Sequence, residues 1–338
     1  MQSSGLIKQD LSLEYCIENG VVPATAWYYR ASLLFSLITS TVSVGHMLYF
    51  LHNRSTYSAF FQHNLRMLFF SMCLCCLMYD FMNIIMKIHH LGLTFLYTEP
   101  CNIFLPKTVY IAVHLPTIFV LVASQCMQLA VITERWIANF YRSSYESCFR
   151  KLGPVLIAAA IITTVCILLI TYYGERFNGP HLNGRWFSVK DIVRTNMVLM
   201  SLLIMNFVGL VLTLALRYFG PKRKIGMSLS SKLQANENTT VSNFLFWISV
   251  LQFATLLLSE AALLYLRIYQ STSPLVTAYK ENADLFNYYT LALPILSMLY
   301  IRKAKQQRII HIKKNINMKA VGNEGWANYL TVIQKQWK

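Results

Sequence analysis

Three residues with ionisable side chains interrupt long apolar stretches of this 338-residue chain: Asp80, His114 and Glu260. Each lies seven residues from a basic residue that marks one end of its stretch. The three basic residues are Lys87, Lys107 and Arg267. If the stretches are helices, a rise of about 1.5 Å per residue places the ionisable groups at one depth, about 10 Å from that end. A few polar groups in an apolar surrounding orient small ligands, so we expect Asp80, His114 and Glu260 to bind a ligand.

The same residues allow other interpretations. They can satisfy backbone groups or one another, Glu260 can reach the membrane interface, and Asp80 can act as a structural switch. An enzyme would need clustered histidines or acids, and three separate groups are too few to name a reaction. No spacing of Cys and His resembles a metal site, and we expect neither a metal nor another cofactor.

The composition indicates a membrane protein. Hydrophobic residues make up 55% of the chain and charged residues 13%, whereas a soluble domain carries about 25% charged residues. The formal net charge of +16 could suggest nucleic acid. The high apolar content argues for a lipid environment instead, and we expect no nucleic-acid partner.

Seven stretches are long enough, or nearly so, to cross a bilayer, which takes about 20 apolar residues. They are Ala31–Leu51, Met67–Met86, Thr108–Thr133, Leu152–Gly174, Thr195–Leu216, a stretch from about Ser242 to Leu266, and Leu285–Ile301. Because lipid offers no partner to a free peptide group, each must be a helix. We predict an all-α membrane protein with a seven-transmembrane helix bundle over residues 28–301. An extracellular segment, residues 1–27, would precede it, and a basic cytoplasmic tail, residues 302–338, would follow.

The distribution of positive charge predicts an N-terminus outside and a C-terminus in the cytoplasm. Ten Lys and Arg lie on the side shared with the N-terminus and twenty on the other side, and cytoplasmic loops are the ones enriched in these residues. Nine of the twenty lie in the tail. The sequons at Asn53 and Asn238 then fall in cytoplasmic loops, the second of which we predict over residues 217–241, and we expect neither to carry sugar.

Two motifs carry a resemblance to a known family. The triplet Glu134-Arg135-Trp136 ends the third stretch, where G-protein-coupled receptors carry an acid-Arg-aromatic triplet. The segment MSLSSKLQANEN, Met227–Asn238, is similar to the pattern L-S-x-K-x-Q-x-x-E-N of nematode serpentine chemoreceptors of the Sra superfamily. HNLRMLFFS at His63–Ser71, Cys101 and ERWIA extend the resemblance over about residues 15–310. Within the superfamily it favours the alpha/beta class.

The resemblance implies a chemosensory G-protein-coupled receptor in the plasma membrane of sensory neurons. Its ligand, a small molecule or a peptide, would bind in the outer half of the bundle, and a heterotrimeric G protein would bind the cytoplasmic face. The residues that we expect to contact the G protein are Glu134, Arg135, Arg142, Lys222, Arg223, Lys224 and Lys232. Topogenic charge is the alternative for the basic residues among them, and a solvated helix end is the alternative for the Glu134–Arg135 pair.

The tail that begins RKAKQQRIIHIKK combines isoleucines with many basic residues. Such a pattern suits an amphipathic helix on an anionic membrane surface. Membrane lipids are therefore an expected partner of the tail.

Of the eight cysteines, only Cys16 and Cys101 are predicted to face the oxidising exterior. We predict a disulfide between them, with two independent free thiols as the alternative. The other cysteines read as small apolar residues of the bundle, apart from Cys148 in a predicted cytoplasmic loop.

Two other functions fit seven membrane helices. A ligand-gated channel would show ligand-evoked current without a G protein. A transporter would show internal repeats and helices broken at mid-membrane, and neither is clear in the sequence.

Overall fold

The computed structural model describes residues 12–53, 61–141, 145–175, 177, 179–184, 192–219, 229–270, 273 and 275–316, and in the tail residues 326, 327, 329–331 and 334. Seven long helices dominate these ranges. They are α1 (Trp27–His52), α2 (His63–Leu96), α3 (Lys107–Phe140), α4 (Leu152–Tyr172), α5 (Ile192–Tyr218), α6 (Leu229–Tyr269) and α7 (Phe286–Ile316). Within the described ranges the only β-structure is an isolated bridge between Leu105 and His181.

The predicted all-α helix bundle is confirmed. Within the described part of the chain, α1 to α6 are long and apolar enough to cross a membrane. The seventh predicted stretch forms the first half of α7, which then continues into the basic tail. Long helices leave apolar side chains such as Phe35 on α1 and Ile162 on α4 exposed on the outside of the bundle, as expected for helices that face lipid.

Two predicted boundaries are wrong. Residues 217–241 were expected to form a loop, but α6 begins at Leu229 and runs for 41 residues, because no Gly or Pro interrupts the chain between Met227 and Tyr269. Lys87 was expected to mark the end of a helix, but α2 continues nine residues further to Leu96.

Helix α3 lies at the centre of the bundle and packs against α2, α4, α5 and α6. The main hydrophobic core surrounds it and includes a group of aromatic rings between α1, α2 and α6. Phe69 on α2 lies 6.0 Å from Phe50 and 5.5 Å from Phe244, measured between ring centroids. In lipid, such close packing stabilises the association of helices, because the hydrophobic effect no longer does.

Short elements cover one end of the bundle. A one-turn helix (Leu13–Cys16), a π-helical turn (Ile17–Val21) and a second one-turn helix (Val22–Thr25) precede α1, and a 3₁₀ turn (Pro100–Ile103) precedes α3. A disulfide bond joins Cys16 to Cys101. We call this end of the bundle the disulfide end, and the opposite end, where α7 leaves the bundle, the tail end.

Candidate functional site

The Glu134–Arg135 pair lies near the tail end of α3, buried among side chains from three other segments. Arg135 donates to Glu134 from Nε to Oε2 and from Nη2 to Oε1, both at 2.5 Å. Its Nη2 also donates to Gln62 Oε1 at 2.9 Å, and its Nη1 donates to Asn238 Oδ1 at 3.3 Å. The Tyr145 hydroxyl donates to Glu134 Oε1. We call these five residues the arginine cluster.

The arginine cluster joins elements that are distant in the sequence. Gln62 directly precedes α2, Tyr145 begins a one-turn helix between α3 and α4, and Asn238 lies on the part of α6 that extends beyond its apolar stretch. Glu134 and Arg135 are only 0% and 3% exposed. A guanidinium buried to this degree is tolerated because its charge is neutralised and its donors are hydrogen-bonded.

Tyr145 is supported from a second direction. Asn64 donates from Nδ2 to the Tyr145 hydroxyl at 3.0 Å and to the Phe149 carbonyl oxygen at 2.7 Å. Burial, together with the Glu134 carboxylate, raises the pKa of Tyr145 well above its usual value. The phenol therefore stays protonated and serves as a hydrogen-bond donor to Glu134.

Of the residues predicted to contact a G protein, the structure brings Glu134 and Arg135 together. Arg142, Lys222, Arg223 and Lys224, and the side chain of Lys232, lie outside the described residues. Sequence reasoning missed Asn238, Gln62 and Tyr145. A signal existed for Asn238, because it is the last residue of the segment that carries the resemblance.

Asp80 lies in the middle of α2 and is fully buried. Its Oδ2 accepts from Ser43 of α1 at 2.6 Å, and its Oδ1 accepts from Thr290 of α7 at 2.8 Å. One turn further along α2, Asn83 donates to Ser40 at 2.8 Å and to Asn287 at 3.1 Å. This polar layer therefore links α1, α2 and α7.

His114 lies near the disulfide end of α3, and both of its ring nitrogens are hydrogen-bonded. Nδ1 lies 2.8 Å from the carbonyl oxygen of Gly184, and Nε2 lies 2.6 Å from the Tyr172 hydroxyl. A carbonyl can only accept, so Nδ1 carries the proton and Nε2 accepts from the phenol. Gly184 belongs to a segment between α4 and α5, residues 179–184, that enters the disulfide end of the bundle; we call it the plug.

His181 anchors the plug against α3. Its ring stacks on Tyr110 with centroids 3.6 Å apart, and Tyr110 also stacks on His114 at 4.7 Å. The His181 carbonyl oxygen accepts from the Leu105 amide at 2.8 Å. Burial lowers the pKa of His181 to about 4, so its imidazole is neutral at physiological pH.

Lys87 and Glu281 form a buried ion pair at the disulfide end. Lys87 is on α2, Glu281 is on the short helix Val276–Ala283 that precedes α7, and the two residues are only 1% and 5% exposed. Asn183 of the plug donates to Glu281 Oε2 at 2.5 Å. The pair was missed from the sequence because Lys87 was interpreted as a helix end.

The three predicted ligand-binding residues thus have separate surroundings. Asp80 bonds to α1 and α7, and His114 bonds to α4 and the plug. Glu260, on α6, is half-buried, and Arg267 follows it seven residues further along the same helix. Lys87 does not mark the end of α2, which extends 16 residues beyond Asp80 to Leu96, so the spacing to Lys87 no longer supports a common depth for Asp80, which stays a prediction.

Glutamine side chains connect α3 to α6 inside the bundle. Gln252 donates to Gln125 Oε1, and Gln128 donates to the Ser249 hydroxyl at 3.0 Å. Asn238 and Arg135 continue the same contact at the tail end. Helix α6 is therefore held to α3 by neutral hydrogen bonds inside the bundle and by a hydrogen bond from the charged Arg135 at the tail end.

The sequence profile described as "Serpentine type 7TM GPCR receptor class ab chemoreceptor" matches residues 23–338. The chain belongs to this family. It is 29% identical over 314 residues to "Serpentine receptor class beta-17" of Caenorhabditis elegans, and the aligned region covers 90% of this chain and 86% of the relative. It is 24% identical over 317 residues to "Serpentine receptor class beta-3" of the same organism, covering 91% and 92% of the two chains.

Membership in this serpentine family confirms the resemblance drawn from the sequence. The protein is a multi-pass membrane protein, and the family supports a chemosensory receptor function. Its relatives bear the names of receptors.

Proposed function

We propose that this serpentine receptor binds a small molecule or a peptide at its disulfide end and activates a heterotrimeric G protein at its tail end. The disulfide end is then extracellular, and the receptor acts in the plasma membrane of sensory neurons. The arginine cluster is the main support for the proposal. It buries the Arg135 guanidinium at the tail end, and one of its hydrogen-bond partners, Asn238, belongs to α6, so a movement of α6 would separate the two.

The disulfide and the tail both support this orientation. Disulfides form and persist in oxidising compartments, and Cys16–Cys101 lies at one end of the bundle. Exposed Arg302, Lys303 and Lys305 lie at the other end, where positive charge favours the cytoplasm. An N-terminal epitope should be accessible on intact cells, and a C-terminal epitope only after permeabilisation. The reverse result would favour a channel of inverted topology.

The activation step follows from the arginine cluster. Helix α6 contributes the side-chain oxygen of Asn238, so moving the tail end of α6 away from α3 breaks the single hydrogen bond from Arg135 to Asn238 and leaves the Glu134–Arg135 pair intact. A hydrogen bond to a charged donor contributes about 1.5–3 kcal/mol net. The freed guanidinium donor would then face a groove between the helices and could bind a carbonyl of the G protein. A ligand drives this change only to the extent that it binds the open arrangement more tightly.

At the disulfide end, His114 is the strongest of the three proposed ligand contacts. Its Nδ1 partner is the Gly184 carbonyl of the plug, and a loop segment can yield to a ligand more readily than a packed helix. Asp80 is held by hydroxyls of α1 and α7, which favours its structural role over ligand contact. Glu260 stays a proposed contact on α6.

A cell assay of G-protein activation tests the tail-end mechanism. Receptor variants are expressed with a G protein and a second-messenger reporter, and signalling is measured without ligand and with a panel of small molecules. Arg135→Ala should abolish signalling at equal surface expression. Arg150→Ala removes the same charge from an exposed position at the same end and should signal normally.

Two results would contradict this function. If Arg135→Ala signals as well as Arg150→Ala, the cluster is only a structural helix end. If a responding small molecule evokes current in a bilayer that contains the purified receptor and no G protein, the protein is a ligand-gated channel.

A further inference from the structure

A groove of about 530 Å³ lies between α1 and α7 toward the tail end. Helix α1 lines it with Val42, Gly45 and Tyr49, and α7 lines it with Ile295, Leu299 and Arg302. Its volume is in the range of about 300–1,000 Å³ that is usual for ligand sites. Val42, Tyr49 and Leu299 are 43%, 52% and 57% exposed, so the groove opens on the outside of the bundle, where a membrane protein meets lipid.

The groove changes character along its length. Val42, Gly45, Ile295 and Leu299 make most of the channel apolar, and the one imidazole that lines it, His46, is hydrogen-bonded through Nδ1 to the Val42 carbonyl oxygen at 2.9 Å. Seven residues of α1 separate Val42 from Tyr49, which is about 10 Å of helix. Arg302 lies at the end of the groove nearest the tail, where the apolar stretch of α7 gives way to the basic tail. The exposed Lys303 and Lys305 follow it, and no acidic residue lines the groove. An apolar channel with a cationic mouth matches an acyl chain attached to an anionic headgroup.

Gly45 leaves room for the groove because it has no side chain. A Cβ built at Gly45 would meet no atom within 4 Å, so the helix approaches no neighbour at that point. A larger side chain there would fill the groove from within without displacing packed residues.

We propose that the groove between α1 and α7 binds an anionic phospholipid, with the phosphate on Arg302 and one acyl chain between the two helices. Basic pockets between membrane helices bind anionic lipid headgroups on the cytoplasmic side. The assignment of this lipid to the inner leaflet rests on the proposed orientation, but its binding does not. An occupant here contacts both α7 and α1, and it lies apart from the arginine cluster and the plug.

The experiment uses the full-length receptor in phosphatidylcholine nanodiscs that contain a phosphatidylserine with a photoactivatable acyl chain. Mass spectrometry locates the cross-links. Wild type should be labelled at residues 42–49 and 295–302. Gly45→Leu should lose this labelling. Gly92→Leu is the matched control, because a Cβ at Gly92 also meets no atom within 4 Å, and it should be labelled like wild type.

Headgroup recognition is tested separately. Arg302→Gln should weaken labelling by phosphatidylserine about five-fold relative to a phosphatidylcholine with the same photoactivatable chain. Lys305→Gln removes the same charge from an exposed residue that does not line the groove, and it should have a smaller effect. Because these variants keep Gly45, they test the proposal even if Gly45→Leu does not fold.

Three outcomes would overturn the proposal. Labelling could be spread evenly over all helices, it could be equal for the two phospholipids and unaffected by Arg302→Gln, or cholesterol could displace it from both segments. The last result would identify a sterol site. None of these outcomes depends on signalling, so a failure here is distinct from a failure of the receptor function.

Discussion

The two ends of the helix bundle bury charged groups by different means. At the disulfide end, Lys87 of α2 is neutralised by Glu281 from another helix, and a covalent bond between Cys16 and Cys101 holds the neighbouring segments. Elements that are distant in the sequence must stay together there, because each supplies half of an ion pair or half of a disulfide.

At the tail end, Arg135 is neutralised by Glu134, the adjacent residue of its own helix. Its links to other elements are hydrogen bonds to the neutral amides of Gln62 and Asn238. Separating the tail end of α6 from α3 therefore breaks the hydrogen bond from Arg135 to Asn238, at about 1.5–3 kcal/mol for a bond to a charged donor, while Glu134 still neutralises the guanidinium. Separating Lys87 from Glu281 would leave an unpaired buried charge, at about 3–5 kcal/mol. The comparison identifies the tail end as the one that opens more easily.

The largest expected effect comes from breaking the ion pair at the disulfide end. Lys87→Met leaves the Glu281 carboxylate buried without its cation, and the free energy of unfolding should fall by about 3–5 kcal/mol. Thermal unfolding of the purified receptor measures the loss. Lys87→Met combined with Glu281→Gln should recover part of it, and Lys303→Met, an exposed lysine, should have little effect. Equal stability of the two lysine variants would remove the contrast between the ends.

Removing the disulfide should cost about 2–5 kcal/mol. Cys16→Ser, Cys101→Ser and the double variant should lose the same stability and surface expression, because each breaks the same bond. Cys166→Ser, at an exposed free cysteine of α4, is the control. Additive losses in the double variant would mean that the two sulfurs act independently.

Acidification should loosen the plug through His181. Its pKa is about 4 in the folded receptor and about 6.5 when solvated, so the open state binds more protons between these values. The contribution of His181 to the free energy that keeps the plug closed is fully present above about pH 6.5. This contribution is smaller by about 2 kcal/mol at pH 5, and it is lost progressively down to pH 4.

Hydrogen exchange of the Leu105 amide, corrected for its intrinsic pH dependence, reports this opening because Leu105 donates to the His181 carbonyl. His181→Phe keeps a ring against Tyr110 and should reduce the pH dependence, with His114 unchanged on the other face of Tyr110. A pH dependence as large in His181→Phe as in wild type would assign it to another group.

The smallest effect is expected at the tail end. Asn238→Ala removes the charge-assisted hydrogen bond between α6 and Arg135, worth about 1.5 kcal/mol, and should raise ligand-free signalling about ten-fold. Gln62→Ala, at the other neutral partner, should act in the same direction. Lower ligand-free signalling in Asn238→Ala would mean that the amide stabilises the active arrangement instead.

Much of this fold could be predicted from the sequence because lipid imposes a local rule. A stretch of about 20 apolar residues must be a helix in a bilayer, whatever its neighbours. Helix ends were predicted less well, as α2 and α6 show, because outside the lipid a polar segment can continue as helix or turn to loop. The Glu134–Arg135 pair was recognisable because both residues belong to one short motif.

The partners of buried polar groups could not be predicted in the same way. Arg135 and Asn238 are 103 positions apart, and the Asn183–Glu281 contact spans 98 positions. Which of the polar residues on two helices meet depends on the rotation and offset of each helix, and these are set by packing over the whole bundle. The Gln125–Gln252 and Gln128–Ser249 contacts between α3 and α6 escaped prediction for the same reason.

The sequence by itself therefore determined the number of helices, the family, the acid-arginine pair at the end of α3, and the choice of Cys16 and Cys101 as the outer cysteines. Only the tertiary structure decided that Lys87 is an interior residue and that Asn238 reaches Arg135. It also decided that the plug makes hydrogen bonds to both His114 and Glu281. The physical reason is that hydropathy acts on each segment separately, whereas a hydrogen bond or ion pair requires two segments to be placed within about 3 Å of one another.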